Sequence, residues 1–172
     1  MAEFKAEVFQ NEYLAQGADV VDAVITVTST GGGAGVVEMA GETVEVIVID
    51  TSGSMSGDRG RKIVAAREAT KAAIDTISDG VLFAVVGGTQ GAQIVYPSEV
   101  GLARADSTTR TSAKNAVDGV QAKGGTAIGT WLMATLQLVE MVPGALAHCI
   151  LLTDGKNESE TDAELNAAIG AC

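Results

Sequence analysis

The sequence predicts an α/β domain in which a mostly parallel sheet lies between layers of helices. Three observations lead there. Residues 44–49 and 81–86 are near-continuous apolar runs of strand length, VEVIVI and VLFAVV, as expected of strands covered on both faces. Between them, Ile63, Ala66, Thr70, Ala73, Ile74 and Ile77 recur at helical spacing, with Arg61, Lys62, Arg67, Glu68, Lys71 and Asp75 mostly on the other side. From residue 44 onward the elements read strand, helix, strand, strand, helix, helix, strand, helix, an order that calls for a three-layer sheet with right-handed crossovers.

The elements can be justified in turn. Residues 1–43 form a separate N-terminal segment and 44–172 the α/β domain. In the first segment a short strand is predicted at 6–10 and another at 20–28, where Val21, Ala23, Ile25 and Val27 alternate with Asp22, Val24, Thr26 and Thr28. The glycine-rich stretch 29–43 reads as a connection or hairpin of open register. The helix over 61–77 is stopped by Gly80, and the strand 81–86 turns through 87–91 into an antiparallel edge partner at 92–96, closed by Pro97. A helix over 109–120 follows, then the loop AKGGTAIG and a helix ending near Met141, with Pro143 beyond. The last strand, 147–153, runs into Asp154, and Thr161 with Glu164 forms a capping box for a final helix to Ala171.

Composition restricts what such a domain can bind. With 47% hydrophobic residues but only 3% aromatics, the core must be aliphatic. A net charge of −11 and a pI near 4.4 oppose binding to nucleic acid or anionic membranes, which require basic patches, and suit a cation. The first 13 residues contain no signal-peptide core, and no run approaches the roughly 18 apolar residues of a membrane span, so a cytoplasmic protein is expected. Cys149 and Cys172 lack metal-type spacing, and Cys149, inside an apolar run, is predicted to be a buried free thiol.

Ligands of open α/β sheets sit outside the carboxyl ends of the strands. That rule brings together the loops 50–58, 124–129 and 154–159. They carry Asp50, Ser52 and Ser54, then Thr126, then Asp154. In an extended turn the alternate spacing of Asp50, Ser52 and Ser54 lets their side chains converge. Oxygen donors without imidazole or thiolate suit a hard divalent ion, Mg²⁺ or Mn²⁺, with Ca²⁺ an alternative. Each hydroxyl taken alone is equally a helix cap or turn former, and Asp50 could cap its own loop.

Rival chemistries fail on the same residues. An EF-hand beginning at Asp50 would need glycine at Met55 and an acid at Arg61. An Asp-x-Asp phosphotransferase would need an acid at Ser52, and a hydrolase elbow would need serine at Met55. The single histidine, His148, lies at the opposite end of its strand from Asp154, and neither GxxxxGK[ST] nor a well-placed GxGxxG occurs. The sequon Asn157-Glu158-Ser159 carries no weight without a secretion signal.

The set Asp-x-Ser-x-Ser, Gly-Gly-Thr and Thr-Asp-Gly, each at its strand or helix end over residues 44–172, resembles the metal-ion-dependent adhesion site of the von Willebrand factor type A domain. The resemblance implies a Rossmann-like fold and a bacterial, intracellular type of member. It implies Ser52, Ser54 and Thr126 as inner ligands of the ion, with Asp50 and Asp154 supporting them largely through water. It also implies a protein partner whose Asp or Glu completes the metal shell, selected by a rim of Met55, Ser56, Lys156 and Asn157. A binding module is therefore expected rather than an enzyme. The alternative is an enzyme, or a subunit of one, that uses the ion as a Lewis acid, but no proton-transfer group beyond Asp58 and Glu158 stands near. The resemblance further implies one or two strands after the last helix. The edge at 149–152 would then be covered by chain beyond residue 172, by the strand 20–28, or by another chain.

Overall fold

The computed structural model describes residues 3–10, 23–30, 41–155 and 157–172. Glu3–Gln10 (β1) and Ala23–Thr30 (β2) pair antiparallel as a two-stranded sheet of their own, within a unit, Met1–Met39, that is separate from Ala40–Cys172. The predicted strand at 20–28 thus corresponds to β2, its first three residues lying outside the described set, as does most of the glycine-rich connection.

In the second unit Thr43–Asp50 (β3) is central. It pairs in parallel with Leu82–Gly88 (β4) on one side and with Leu146–Leu152 (β7) on the other. Ala92–Tyr96 (β5) and the two-residue Ala103–Arg104 (β6) lie antiparallel to β4. The sheet is α/β and mostly parallel, as the sequence predicts; only β6, too short to show a period, has no counterpart there.

Among the described residues four helices flank it: Arg61–Thr76 (α1), Ser107–Asp118 (α2), Ile128–Glu140 (α3) and Asp162–Ala171 (α4). Alternation along β3 divides the core. Ile47 and Ile49 join Phe83 and Val85 against Ile63, Ala66 and Ile74 of α1 and Ala113 and Val117 of α2. Val44, Val46 and Val48 join Ala84 and Val86 against Trp131 and Leu138 of α3, on which α4 packs. From Val46 to Ile49 both faces of β3 are therefore dry, which is why that run shows no polar alternation.

The start of α2 differs from expectation by two residues. Asp106 accepts from the Thr109 backbone N–H at 2.7 Å while its own N–H donates to Thr109 Oγ1 at 2.8 Å, a capping box with threonine in the place usually held by Glu or Gln. The Thr109 amide bond holds the Asp106 carboxyl below the usual range. A depressed carboxyl contributes stability above its unfolded value and loses it as pH falls through the folded one. Asp106→Ala is therefore expected to lower the melting temperature at neutral pH, with the difference from wild type fading in strong acid, as thermal denaturation at both pH values would show.

Cys149 corrects the sequence reading. It is solvent-exposed, because β7 lies at the edge of the sheet among the described residues and its first four residues are all exposed, although local burial of the thiol still pushes its pKa up. Among the described residues no helix is long and apolar enough to cross a membrane.

Candidate metal centre

The candidate donors arise where β3, β4 and β7 end. Asp50 closes β3 with its side chain fully buried. Its Oδ1 accepts the Ser52 backbone N–H at 2.8 Å and its Oδ2 accepts the Thr153 hydroxyl at 2.6 Å. Asp50 does cap its own loop, yet among the described residues it has no ion pair. A carboxylate withdrawn from water with hydrogen bonds but no cation is a costly arrangement.

The first loop then turns as a short 3-10 helix, Gly53–Ser56, rather than in the extended form expected. The hydroxyls converge all the same: Ser52 Oγ and Ser54 Oγ are 2.9 Å apart, and Ser54 Oγ donates to Asp154 Oδ1 at 3.4 Å. Asp154 Oδ2 accepts from Lys62 Nζ. Thr126 is buried, and a Cβ built on Gly155 would stand 3.2 Å from Asp50 Oδ2 and 3.7 Å from Thr126 Cγ2, so the three loops meet around that glycine. Neither Ser52 nor Thr126 is spent as a cap. The turn after Ser52 has no side-chain cap bond, and the N-cap of α3 is Ala127, also without one. Asp50, Ser52 and Thr126 form a buried floor, while Ser54 and Asp154 face solvent.

Backbone contacts fix the loops to one another. Gly88 O, at the end of β4, accepts both the Thr51 N–H at 2.8 Å and the Thr51 hydroxyl at 3.0 Å. The next carbonyl, of Thr89, accepts the Ala127 N–H at 3.0 Å and the Trp131 indole N–H at 2.6 Å. Gly53 N–H donates to Gly124 O at 2.8 Å, an approach that leaves a Cβ on Gly53 only 3.0 Å from that oxygen. Gly124 itself lies at φ +79°, where a side chain is strained.

Several supporting residues carry no sequence signal. Ser159 Oγ accepts the Thr126 N–H at 3.0 Å, and the N–H groups of Glu158 and Ser159 both donate to Thr126 O. Gln90 Oε1 accepts the Gly125 N–H at 2.7 Å, and the Glu160 carboxylate accepts from Gly129 N–H in the first turn of α3. No periodicity distinguishes these from other loop residues.

One rim expectation is corrected, and a second rim residue has a further partner. Met55 is 3% exposed and packs in the core with Ile63 and Ala66, because the 3-10 turn points it inward. Asn157 is half-buried, its Oδ1 accepting the Ile128 N–H at 3.1 Å, so it supports α3. Ser56 is exposed, its hydroxyl donating to Gly53 O at 2.7 Å, and Lys156 lies outside the described residues. His148 is far from the cluster, facing Glu45 at 3.3 Å.

A three-loop cluster of hydroxyls and carboxylates at the carboxyl edge of a parallel sheet defines a class of α/β domains with a candidate cation site. The sequence profile of the von Willebrand factor type A domain matches residues 45–156, and the chain belongs to that family. It is 51% identical to a von Willebrand factor type A protein from Catenulispora acidiphila, with a TM-score of 0.75 over 98% of this chain and 37% of that one. Inter-alpha-trypsin inhibitor heavy chain H4 from Bos taurus is 35% identical over 117 residues, 64% of this chain and 12% of the bovine protein. The human protein of the same name is 37% identical over the same length. This chain therefore matches only a small part of those relatives. Proximal thread matrix protein 1 from the mussel byssus, solved with a zinc-occupied metal-ion-dependent adhesion site, is 25% identical with a TM-score of 0.60, over 76% of this chain and 33% of that one.

Proposed function

We propose that the chain is a metal-dependent protein-binding module. The observation that carries this is the buried Asp50 carboxylate, hydrogen-bonded but without an ion pair among the described residues, beneath convergent Ser52, Ser54 and Asp154, with Thr126 alongside. The donor set fits a hard ion. Among the described residues no three His, Cys, Asp or Glu gather, so a softer site is not built here, whereas hydroxyls plus two acids match Mg²⁺ or Mn²⁺, with Ca²⁺ the alternative. The zinc-occupied site of the mussel protein supports divalent binding at this place in the fold. Ser52, Ser54 and Thr126 would hold the ion directly, and Asp50 and Asp154 would support it.

Neutral hydroxyls leave much of an ion's charge uncompensated, so the bound metal would supply an electrophilic open position for a partner's Asp or Glu. Ser54 and Asp154 open that side to solvent, and exposed Ser56, with Lys156, would form the selecting rim. Binding is favoured over enzymatic chemistry because the one histidine is engaged with Glu45 away from the cluster. A bacterial source is supported by the 51% identity to the Catenulispora protein.

The test is a pull-down in Mg²⁺, repeated in EDTA and with Ser52→Ala. Chelation is expected to remove nearly all partner binding, since the ion itself would make the contact with the partner's carboxylate. Raised salt should remove only part of it, since at a net charge of −11 an acidic partner gains nothing from long-range attraction. Binding that survives both EDTA and Ser52→Ala would place the interaction surface elsewhere.

A further inference from the structure

We propose that Lys62 is a built-in competitor for the cation at this site: it holds Asp154 in the metal-free protein, gives it up when the ion enters, and so sets the concentration at which the site fills. The inference rests on the metal-binding reading above and concerns its regulation.

Lys62 is placed against its local preference. It is the second residue of α1, where the helix N-terminus repels positive charge, and no acidic residue occupies that first turn. Its partner lies 92 positions further along the chain. Lys62 Nζ bonds Asp154 Oδ2, while the other oxygen of the same carboxylate accepts from Ser54. One half of Asp154 therefore faces a candidate metal ligand and the other half a lysine ammonium.

The charges of the cluster make the two cations alternatives. Asp50 and Asp154 supply two negative charges, and Lys62 already offsets one of them. A divalent ion entering with the ammonium in place would stand beside a like charge on the same carboxylate. Entering after Lys62 has withdrawn, it meets Asp154 without that repulsion. Lys62 is able to withdraw: its side chain is 46% exposed, and a flexible four-carbon stem ending in a strongly hydrated ammonium loses little by turning to water. Among the described residues Asp50 has no such ion pair; its oxygens accept from Ser52 N–H and the Thr153 hydroxyl.

Removing the charge should therefore act in opposite directions with and without metal. Lys62→Met and Lys62→Gln are expected to bind Mg²⁺ and Mn²⁺ about three- to tenfold more tightly than wild type by calorimetric titration, the scale of a partly exposed charge pair. Both should melt at lower temperature in EDTA, where Asp154 loses its counter-charge. Lys62→Arg, which keeps the charge, should stay within about twofold of wild type. Equal or weaker metal binding by both charge-free variants, against a wild type that binds, would overturn the competitor role and leave Lys62 as a positioning residue for Asp154. If wild type and every variant fail to bind either ion, the metal site itself is refuted, and this inference with it.

Discussion

Mg²⁺ or Mn²⁺ added to the metal-free protein is expected to raise its melting temperature by about 5–10 °C at 100-fold excess over the dissociation constant. An ion that binds only the folded state stabilises it by about 2.7 kcal/mol at that ratio, and each kcal/mol moves a domain of this size by roughly 2–4 °C. Ser54→Ala and Asp154→Ala should remove most of the rise. Ser54 is the hydroxyl that bridges Ser52 and Asp154, so its loss breaks the link between the first and third loops as well as deleting a donor. Asp154→Ala removes one of only two carboxylates and frees Lys62. A chain of charge −11 is also stabilised by cations nonspecifically, so the comparison is made at matched ionic strength with Na⁺. Equal metal-induced shifts in wild type and both variants would sink the site.

Legibility in the sequence followed the physics of each feature. The dry strand β3 and the amphipathic α1 were readable because burial on two faces or on one stripe leaves a period that the residues must carry. The cluster was readable because chemistry restricts the residue types of candidate donors and topology restricts their place, and the side chains of Asp50, Ser52, Ser54 and Asp154 do come together at the carboxyl edge. Met55 was misread because the side-chain direction in a loop depends on its local winding, and a 3-10 turn points it inward where an extended chain would not. The exposure of Cys149 was hidden because an apolar strand reads alike at an edge and at the centre of a sheet. Lys62, Ser159 and Glu160 were invisible for a third reason. Their partners lie 92, 33 and 31 positions away, and nothing local records such a contact.

The largest loss of stability is expected at Trp131, with the site failing alongside the core. Trp131→Ala should cost about 3–5 kcal/mol, a large share of the roughly 5–15 kcal/mol that holds a domain folded. The ring is fully buried in the aliphatic layer between α3 and the sheet. Its indole N–H also donates to Thr89 O at 2.6 Å, on the carbonyl that anchors the second loop through Ala127. One side chain therefore fills the core beneath the site and holds the β4 end to which two of the loops are attached. Gly88→Ala approaches the same contact from the sheet side. A Cβ there would stand 2.4 Å from Trp131 Cδ2 and Cε2, too close for any side chain, so ring or strand must shift at a cost of about 1–3 kcal/mol. Because Gly88 O bonds Thr51, the shift should also weaken metal binding. Urea unfolding followed by circular dichroism would measure both variants. Gly88→Ala can also be followed by fluorescence, since Trp131 is the single tryptophan. A Trp131→Ala protein within about 1 kcal/mol of wild type, with an unchanged metal-induced shift, would show that the Thr89 carbonyl and the loops tied to it are held without the ring.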